Sequence, residues 1–408
     1  MLSATLWVDP APAQTFNFDG AVLTESPNGA QSAALAGVQC SLEGEDAPLG
    51  GNPAALAGVQ RNRASFCGTL LFGNANLSAS ESSDAVDYSA HRGGSLGLNF
   101  IGFAVPLSFN HPGLVGMIAI KNLANLSDHL TLARFDSSNS VRAERDQDRS
   151  GGTYALSAGL AYRALPKLLL GANLNLISGQ AALEQTHTFQ NRLKKLRADT
   201  SWTNKISAFR VEFGVIWRAS RLLSLGGHVV FPHSLHYSDI EQSSESGNYD
   251  RQYDSDVSMS IPAHLTLGAA LRLNPRTLVA MDYCPRPWDK IETHIDGDTQ
   301  DPFFASAHSV RFGVEHRISS GSLEIPLRIG YFNQPEQIFD YQPESRGKQV
   351  SSHVFTGGFG LVSSTLCLEL AVAYGVRDYD VLIPELSGTA LEVRSSKFQV
   401  LLGTEFYF

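Results

Sequence analysis

The most constraining feature of this 408-residue sequence is an alternation of apolar and polar residues that recurs along most of the chain. In the final segment, KFQVLLGTEFYF, the side chains of Phe398, Val400, Leu402, Phe406 and Phe408 share one face of an extended strand, because strands alternate sides with a period of two. The opposite face carries a lysine, a glycine and a glutamate. AFRVEFGVIWR, LCLELAVAYG, HLTLGAALR and VRFGVEH repeat this pattern. An apolar face opposite charges and glycines is typical of a barrel with lipid outside and a polar lumen.

The lengths of the connections support the same architecture. The pattern predicts about fourteen strands, and several connections between them are short, such as ALPK (164–167), SR (220–221) and SSGS (319–322). Others are long and polar, such as 137–151 and 241–255. Short and long connections alternate in transmembrane barrels, with the short turns on the periplasmic side. We therefore expect an all-β fold, a transmembrane antiparallel β-barrel of about fourteen strands with both termini in the periplasm.

Composition and motifs exclude several functional classes. A net charge of -9 argues against a nucleic-acid partner. The sequence has no metalloprotease, Walker, nucleophile-elbow or dinucleotide-binding motif, so we expect neither an enzyme nor a cofactor. The acidic run 296–301 offers oxygen ligands for calcium but lacks the full EF-hand spacing, and an acidic loop tip is the preferred interpretation. We therefore expect no metal site.

Residues 14–60 do not follow the strand pattern. They are small and rich in alanine and glycine, and within GGNPAALAG (50–58) Asn52 and Pro53 predict a short helix with Asn52 as its cap, which Gly58 ends. A barrel of about fourteen strands has a lumen too wide for its own side chains to fill. We expect 14–60 to form a hatch inside a barrel that spans 61–408.

Two features near the N-terminus leave alternatives open. Ala11-Pro12-Ala13 fits a signal-peptidase site, so 1–13 is interpreted as the remnant of a signal peptide, with a disordered cytosolic tail as the alternative. The four cysteines are either isolated thiols, the preferred interpretation, or include one bridge between Cys40 and Cys67.

Aromatic residues near strand ends support this architecture as girdles that mark the two membrane interfaces, with the ordinary enrichment of aromatic residues in strands as the alternative. They are Trp202, Trp217, Tyr237, Trp288, Tyr331, Tyr374, Tyr379, Phe406 and Phe408.

The segment 28–58 resembles the N-terminal hatch of the FadL outer-membrane transporters. Small residues precede an acidic stretch, EGED, and Asn52-Pro53-Ala54 match the family's Asn-Pro-Ala motif. The segment 261–283 resembles a hairpin of that family, and Phe408, together with Phe406 before it, resembles the terminal signal that barrel-assembly machinery reads. The resemblance implies a fourteen-stranded bacterial outer-membrane barrel that contacts membrane lipids and carries fatty acids or other hydrophobic small molecules inward. It also implies a gap in the wall at a kink in the third strand.

One departure from the family concerns the outer loops. The family's long loops form a helical capture groove, whereas here only THTFQNRLKKLRADTSW (186–202) offers a short basic amphipathic stretch, which a solvated loop explains equally well. The segment PNGAQSAALAG also resembles PorV-type barrels, which shuttle proteins.

We therefore expect a passive importer of long-chain fatty acids or other hydrophobic compounds. The alternatives are a non-transporting, PorV-like scaffold that binds partners and, more weakly, an outer-membrane enzyme. The lumen candidates for contact with ligand or hatch are Arg210, Glu212, Arg311 and Arg328, because buried charges require partners.

Overall fold

The chain folds into a closed antiparallel barrel of 14 strands. The computed structural model describes residues 27–44, 47–79, 87–107, 113–135, 141–190, 195–244, 249–253, 257–300, 305–339, 349–382 and 390–408. Each strand pairs with its sequence neighbours, and the first strand also pairs with the last, from Arg63↔Tyr407 to Ala79↔Leu391, which closes the sheet. Closure leaves no free sheet edge along this first-to-last seam.

Several of the strands consist of more than one segment. In chain order they are β1 (Arg63–Ala79), β2 (Asp87–Pro106), β3 (Leu114–Asn125 and Asp128–Phe135), β4 (Val141–Leu165), β5 (Leu168–Gln190), β6 (Lys195–Arg218), β7 (Leu223–Val230 and His233–Ser244), β8 (Tyr249–Tyr253, Val257–Ile261 and His264–Asn274), β9 (Thr277–Arg286 and Glu292–Ile295), β10 (Ala307–Ser320), β11 (Leu323–Phe339), β12 (Gln349–Val362), β13 (Leu366–Leu382) and β14 (Ala390–Tyr407). A short strand, Asp298–Gln300, pairs with the end of β9, and a 3-10 turn spans Trp288–Lys290.

The alternation predicted from the sequence is present in the wall. On β14, Leu402 is 57% exposed while its neighbour Leu401 is fully buried. The outward faces of the other strands also carry large exposed apolar side chains, as at Leu156, Leu174, Phe209 and Phe355. This apolar outer band is what a lipid-facing wall requires. Among the described residues, no helix is long and apolar enough to cross a membrane.

The strands extend further than the sequence pattern predicts. β4, β5 and β6 have 25, 23 and 24 residues, whereas about 9–11 residues are enough to span a bilayer. The predicted loop 137–151 is therefore mostly strand, and the described parts of 186–202 are the ends of β5 and β6, whereas 191–194 lie outside the described residues. Beyond the lipid both faces of a strand are polar, so the alternation that identifies strands within the membrane is lost there.

The girdle interpretation is wrong for two of the aromatic residues. Trp217 and Tyr374 are 50% and 48% exposed and lie on the outer face. Tyr237 and Trp288 are 7% and 4% exposed, and they belong to an apolar cluster inside the barrel together with Leu235, Met259 and Ile261. Proximity to a strand end does not reveal which face of the wall a side chain occupies.

Residues 27–59 lie within the barrel, and we call their described part the plug. It contains a short helix, α1 (Ala30–Ala34), and a 3-10 helix (Pro53–Gly58), whose residues are almost all buried. The plug contacts the wall around its circumference, from Asn99 on β2 through Asp282 on β9 to Glu369 on β13. The proposed signal-peptide remnant, 1–13, lies outside the described residues.

Candidate functional site

Asn52 joins the two parts of the plug to the barrel wall. Its side-chain Oδ1 accepts a hydrogen bond from the Ala54 amide at 3.0 Å, which caps the 3-10 helix that begins at Pro53. Its Nδ2 donates to the Cys40 carbonyl at 2.6 Å and lies 3.2 Å from the carbonyl of Gly227 on β7. Asn52 is only 2% exposed. The side-chain amide of Asn52 therefore forms hydrogen bonds with backbone groups of both the plug and the wall.

Glycines in the wall let the plug approach closely. A Cβ added to Gly214 would overlap Asn52 Oδ1, and one added to Gly171 would overlap the backbone of Pro53. Gly226 is equally close to the Cys40 carbonyl. These glycines lie on the lumen-facing side of β5, β6 and β7, where the absence of a side chain makes room for the plug backbone. The alternation shows that glycines share the lumen face, but it does not show which of them contact the plug.

Side chains of the wall bind the main chain of the plug. Asp282 Oδ2 accepts from the amides of Gln39 and Cys40 at 2.9 and 3.0 Å. Glu369 Oε2 accepts from the Gln31 amide at 3.1 Å. Arg63 Nη1 donates to the carbonyls of Gly44 and Ala47 at 3.2 and 2.9 Å. Charged groups thus satisfy backbone groups that water does not reach, and such charge-assisted hydrogen bonds are stronger than neutral ones.

The predicted lumen residues Arg311 and Arg328 lie on the plug side of the wall. Arg311 Nη1 donates to the Gly37 carbonyl of the plug at 3.1 Å. Arg328 bridges two carboxylates, at 2.7 Å from Glu315 and 2.8 Å from Glu369. Because Glu369 also binds the plug backbone, Arg328 orients a plug-binding group.

The other two predicted lumen residues, Arg210 and Glu212, form a separate buried cluster. Arg210 Nη2 lies 2.6 Å from Glu212 Oε1, and Lys121 of β3 lies 3.7 Å from the same oxygen. Asn173 and His228 approach the second carboxylate oxygen at 3.3 and 3.6 Å. The cluster connects β3, β5, β6 and β7 across one side of the lumen.

The acidic stretch of the plug faces the short-turn end of the barrel. Arg218, the last residue of β6, donates through Nε to both carboxylate oxygens of Glu43, at 2.8 and 2.9 Å. Residues 45 and 46 lie outside the described residues. The plug therefore occupies the end of the lumen nearest the short turns.

An apolar cavity lies farther from these turns than the plug. Its lining includes Leu123, Ile177, Leu235, Ile261 and Trp288. The volume is about 590 Å³ when the open side is included, but only about 40 Å³ of it admits the centre of a water-sized molecule. The cavity is therefore narrow in this conformation.

The polar side chains at this cavity are predominantly basic. Arg210, His233, His264 and Arg286 line it together with Thr153, and no acidic residue belongs to the described lining. An apolar space with a basic border suits a ligand that has an apolar body and an acidic group.

The wall changes next to this cavity, where the ladder between β2 and β3 ends. The β2–β3 ladder runs from Pro106↔Val115 to Phe100↔Lys121, and no further pair between the two strands occurs among the described residues. Lys121 to Ala124 are buried in succession, which breaks the alternation, and the register with β4 shifts between Asn122 and Ala124. β3 is then interrupted between Asn125 and Asp128. β3 therefore carries a register shift and an interruption, Leu123 of the cavity lies at the shift, and the kink implied by the resemblance stays a prediction.

The C-terminal residues lie on the outside of the barrel. Phe406 and Phe408 are 50% and 65% exposed, and Phe408 stacks on Phe103 of β2 with ring centroids 5.9 Å apart. Both rings face the lipid rather than the lumen. Their assignment as an assembly signal stays a prediction.

The cysteines and the acidic residues provide neither a disulfide bridge nor a metal site among the described residues. All four cysteines lie within the described part and are free and buried, so the Cys40–Cys67 bridge is absent. Cys40 lies against β7, β8 and β9, whereas Cys67 pairs with Gly403 of β14. Where the chain is described, no group of His, Cys, Asp and Glu residues forms a metal site.

Comparison with known proteins identifies the fold. No protein-family model matches the sequence, and no curated protein matches it. Among solved structures, the toluene transporter TodX of Pseudomonas putida is similar with a TM-score of 0.67 and 15% identity, covering 94% of this chain and 99% of that one. A FadL homologue of Pseudomonas aeruginosa has a TM-score of 0.65 and 13% identity, with the same coverage. The toluene transporter TbuX of Ralstonia pickettii has a TM-score of 0.62 and 13% identity, covering 93% and 98%. The chain therefore has the FadL-like fold, and its apolar outer face is that of a transmembrane β-barrel.

Proposed function

We propose that the protein is a passive importer of hydrophobic small molecules. The observation that carries this proposal is the apolar cavity beside the register shift of β3, where the ladder between β2 and β3 ends. A lumen lined elsewhere by charges gains nothing in stability from an open apolar cavity, because empty apolar space forfeits packing contacts. A site that receives an apolar ligand through the wall accounts for both features. The similarity of this fold to the solved structures of toluene transporters supports this proposal.

Within this class, we propose long-chain fatty acids as the substrate. The basic groups of Arg210, His233, His264 and Arg286 adjoin the apolar lining. A fatty acid would have to widen the cavity to place its chain against Leu235, and its carboxylate would then lie near these groups.

Passage toward the periplasm would require the plug to move. The plug lies between the cavity and the short-turn end of the barrel. It is bound to the wall by Asp282, Glu369 and Arg63. We propose that the barrel is gated by this hatch, and that the closed arrangement described here is its resting state.

Binding can be measured through Trp288, which is 4% exposed and lines the cavity. A brominated long-chain fatty acid should quench the fluorescence of the purified barrel in detergent, and Trp288→Phe should remove most of that quenching. Trp217 on the outer face provides the matched control, because Trp217→Phe removes a lipid-exposed ring and should leave saturable quenching intact. Quenching that does not saturate, or that persists in Trp288→Phe, would contradict binding in the cavity.

Transport can be measured in a host that lacks its own fatty-acid transporter. Ile261→Trp should fill the cavity and reduce uptake of a labelled long-chain fatty acid at least several-fold. Leu265→Trp, four residues along the chain and 42% exposed on the outer face, should leave uptake unchanged. Labelled toluene taken up in place of the fatty acid would redirect the substrate assignment. Failure to take up either compound above the level of empty cells would refute the importer.

The PorV-like scaffold remains the second proposal, because of one observation. β4, β5 and β6 continue well beyond the length needed to span a bilayer and form a polar surface outside it. A stable complex retained on these strands in the absence of any uptake would favour the scaffold.

A further inference from the structure

One thiol of the plug and one thiol of the wall lie close together. Cys40 belongs to the plug and Cys284 to the lumen-facing side of β9, and each is only 1% exposed. The proposed import mechanism uses neither of them.

Two contacts bring Cys40 to the position of Cys284. Cys40 Sγ donates to the Thr266 carbonyl of β8 at 3.4 Å. The ladder between β8 and β9 ends at Leu267↔Tyr283, and Thr266 and Cys284 are the next residue of each antiparallel strand. The thiol of Cys40 is therefore hydrogen-bonded to the residue that lies next to the position of Cys284.

Asp282 fixes the same arrangement from the other strand. Its carboxylate accepts from the Cys40 amide at 3.0 Å, and Cys284 lies two residues further along β9 on the same face. A Cβ on Gly268 would lie 2.7 Å from Cys40 Cβ, so the plug backbone is pressed against the wall here. Cys40 is thereby held against β8 and β9, on the wall face that also carries Cys284.

The electrostatic surroundings agree with this placement. Burial, followed by the charges of Asp282 and Cys284, raises the pKa of the Cys40 thiol. Because the thiolate is the reactive form, the two buried thiols should oxidise slowly even when an oxidant is present.

We propose that Cys40 and Cys284 form a disulfide that covalently fixes the plug to β9. The Cys40 thiolate attacks a sulfur of a disulfide-bearing oxidant and displaces one thiolate from it. The Cys284 thiolate then attacks Cys40 Sγ in the mixed disulfide and displaces the second. Two electrons pass to the oxidant, and the protons of the two thiols go to the two released thiolates. The bond closes a loop between residues 40 and 284, and the periplasm supplies oxidants of this class.

The other two cysteines provide an internal control. Cys67 on β1 and Cys367 on β13 both pair with β14, which lies between them. Two strand spacings separate them by about 9–10 Å, which is beyond the reach of a disulfide. Neither should become linked in the folded barrel.

The bond can be tested on the purified, folded protein with diamide, which takes up two electrons and two protons from a pair of thiols. Free thiols are then alkylated under denaturing conditions, and the peptides are mapped by mass spectrometry with and without reductant. We expect one reductant-sensitive link, between the peptides of Cys40 and Cys284, with Cys67 and Cys367 alkylated. No link in the folded barrel, or a link to Cys67 or Cys367, would overturn the proposal.

The consequence of the bond is measured separately by hydrogen exchange. Oxidation should slow exchange of the plug amides at least several-fold in the wild type and in Cys67→Ser. It should have no effect in Cys40→Ser or Cys284→Ser. Equal exchange in oxidised and reduced wild type would refute the locking role even if the bond forms.

The expectation that the disulfide blocks uptake, in contrast, rests on the proposed import function. If reduced protein transports fatty acid, oxidation should reduce uptake, and reductant should restore it. If reduced protein transports nothing, the import proposal fails, while the mapped bond and the exchange data still decide the disulfide.

Discussion

Asn52→Ala should loosen the plug and leave the barrel intact. The change removes the cap on the Ala54 amide and the donor to the Cys40 carbonyl, both in a site where Asn52 is 2% exposed. A lost cap costs about 0.5–2 kcal/mol, and a buried carbonyl left without its donor costs about 1–3 kcal/mol. The two costs add to about 1.5–5 kcal/mol, and the middle of that range, roughly 2–4 kcal/mol, is the expected loss of plug docking free energy. The wall keeps its ladders because none of them includes Asn52.

Hydrogen exchange resolved by peptide is the appropriate assay. Amides of the plug should exchange about 30- to 1000-fold faster in Asn52→Ala, since each 1.4 kcal/mol corresponds to a factor of ten. Peptides from β4 and β5 should exchange as in the wild type, and heat-modifiable migration should be unchanged.

Asn52→Asp provides the matched comparison. It keeps an oxygen for the Ala54 amide but directs a carboxylate oxygen at the carbonyls of Cys40 and Gly227. We expect it to loosen the plug more than Asn52→Ala does. Unchanged plug exchange in Asn52→Ala, or an aspartate better tolerated than alanine, would refute the account of Asn52 as a joint between plug and wall.

Three further predictions concern the wall and its orientation. Gly214→Ala should accelerate plug exchange because its Cβ would overlap Asn52 Oδ1, whereas Gly357→Ala, with its nearest atom at 3.7 Å, should not; equal effects would contradict the close approach. Phe408→Asp should reduce the amount of inserted, heat-modifiable barrel, because it removes the ring stacked on Phe103 and the proposed assembly signal; normal insertion would contradict this. A membrane-impermeant maleimide on whole cells should label Ser243→Cys and not Ser320→Cys, because the two positions lie at opposite ends of the barrel; the reverse pattern would overturn the orientation.

The strands within the membrane are the part of the fold that the sequence predicts best. Lipid outside and a polar lumen inside enforce a period of two, as between Leu401 and Leu402. The same rule fails for the outer ends of β4 to β6, where both faces meet water. It also fails at Lys121 to Ala124, where β3 turns inward and the alternation stops.

The candidate site could be predicted only in part. Local chemistry was enough for the 3-10 helix of the plug, because an Asn-Pro pair is a helix start whatever surrounds it. The partners of Arg311 and Arg328 depend on which strands lie opposite the plug, and no local pattern encodes that. The position of Trp288 in the cavity was missed for the same reason.

The hydrogen bonds between the wall and the plug have a consequence for how freely the amino-acid sequence of the plug can change. Asp282, Glu369, Arg63 and Arg311 all bind amides or carbonyls of the plug. Every amino acid except proline supplies both groups, so the wall recognises the path of the plug backbone rather than the identity of its residues. Most plug positions then need only a small side chain. Substitutions can accumulate there without weakening the hydrogen bonds between the wall and the plug backbone. A barrel built on this principle keeps its architecture at 13–15% identity, when sequence comparison no longer detects it.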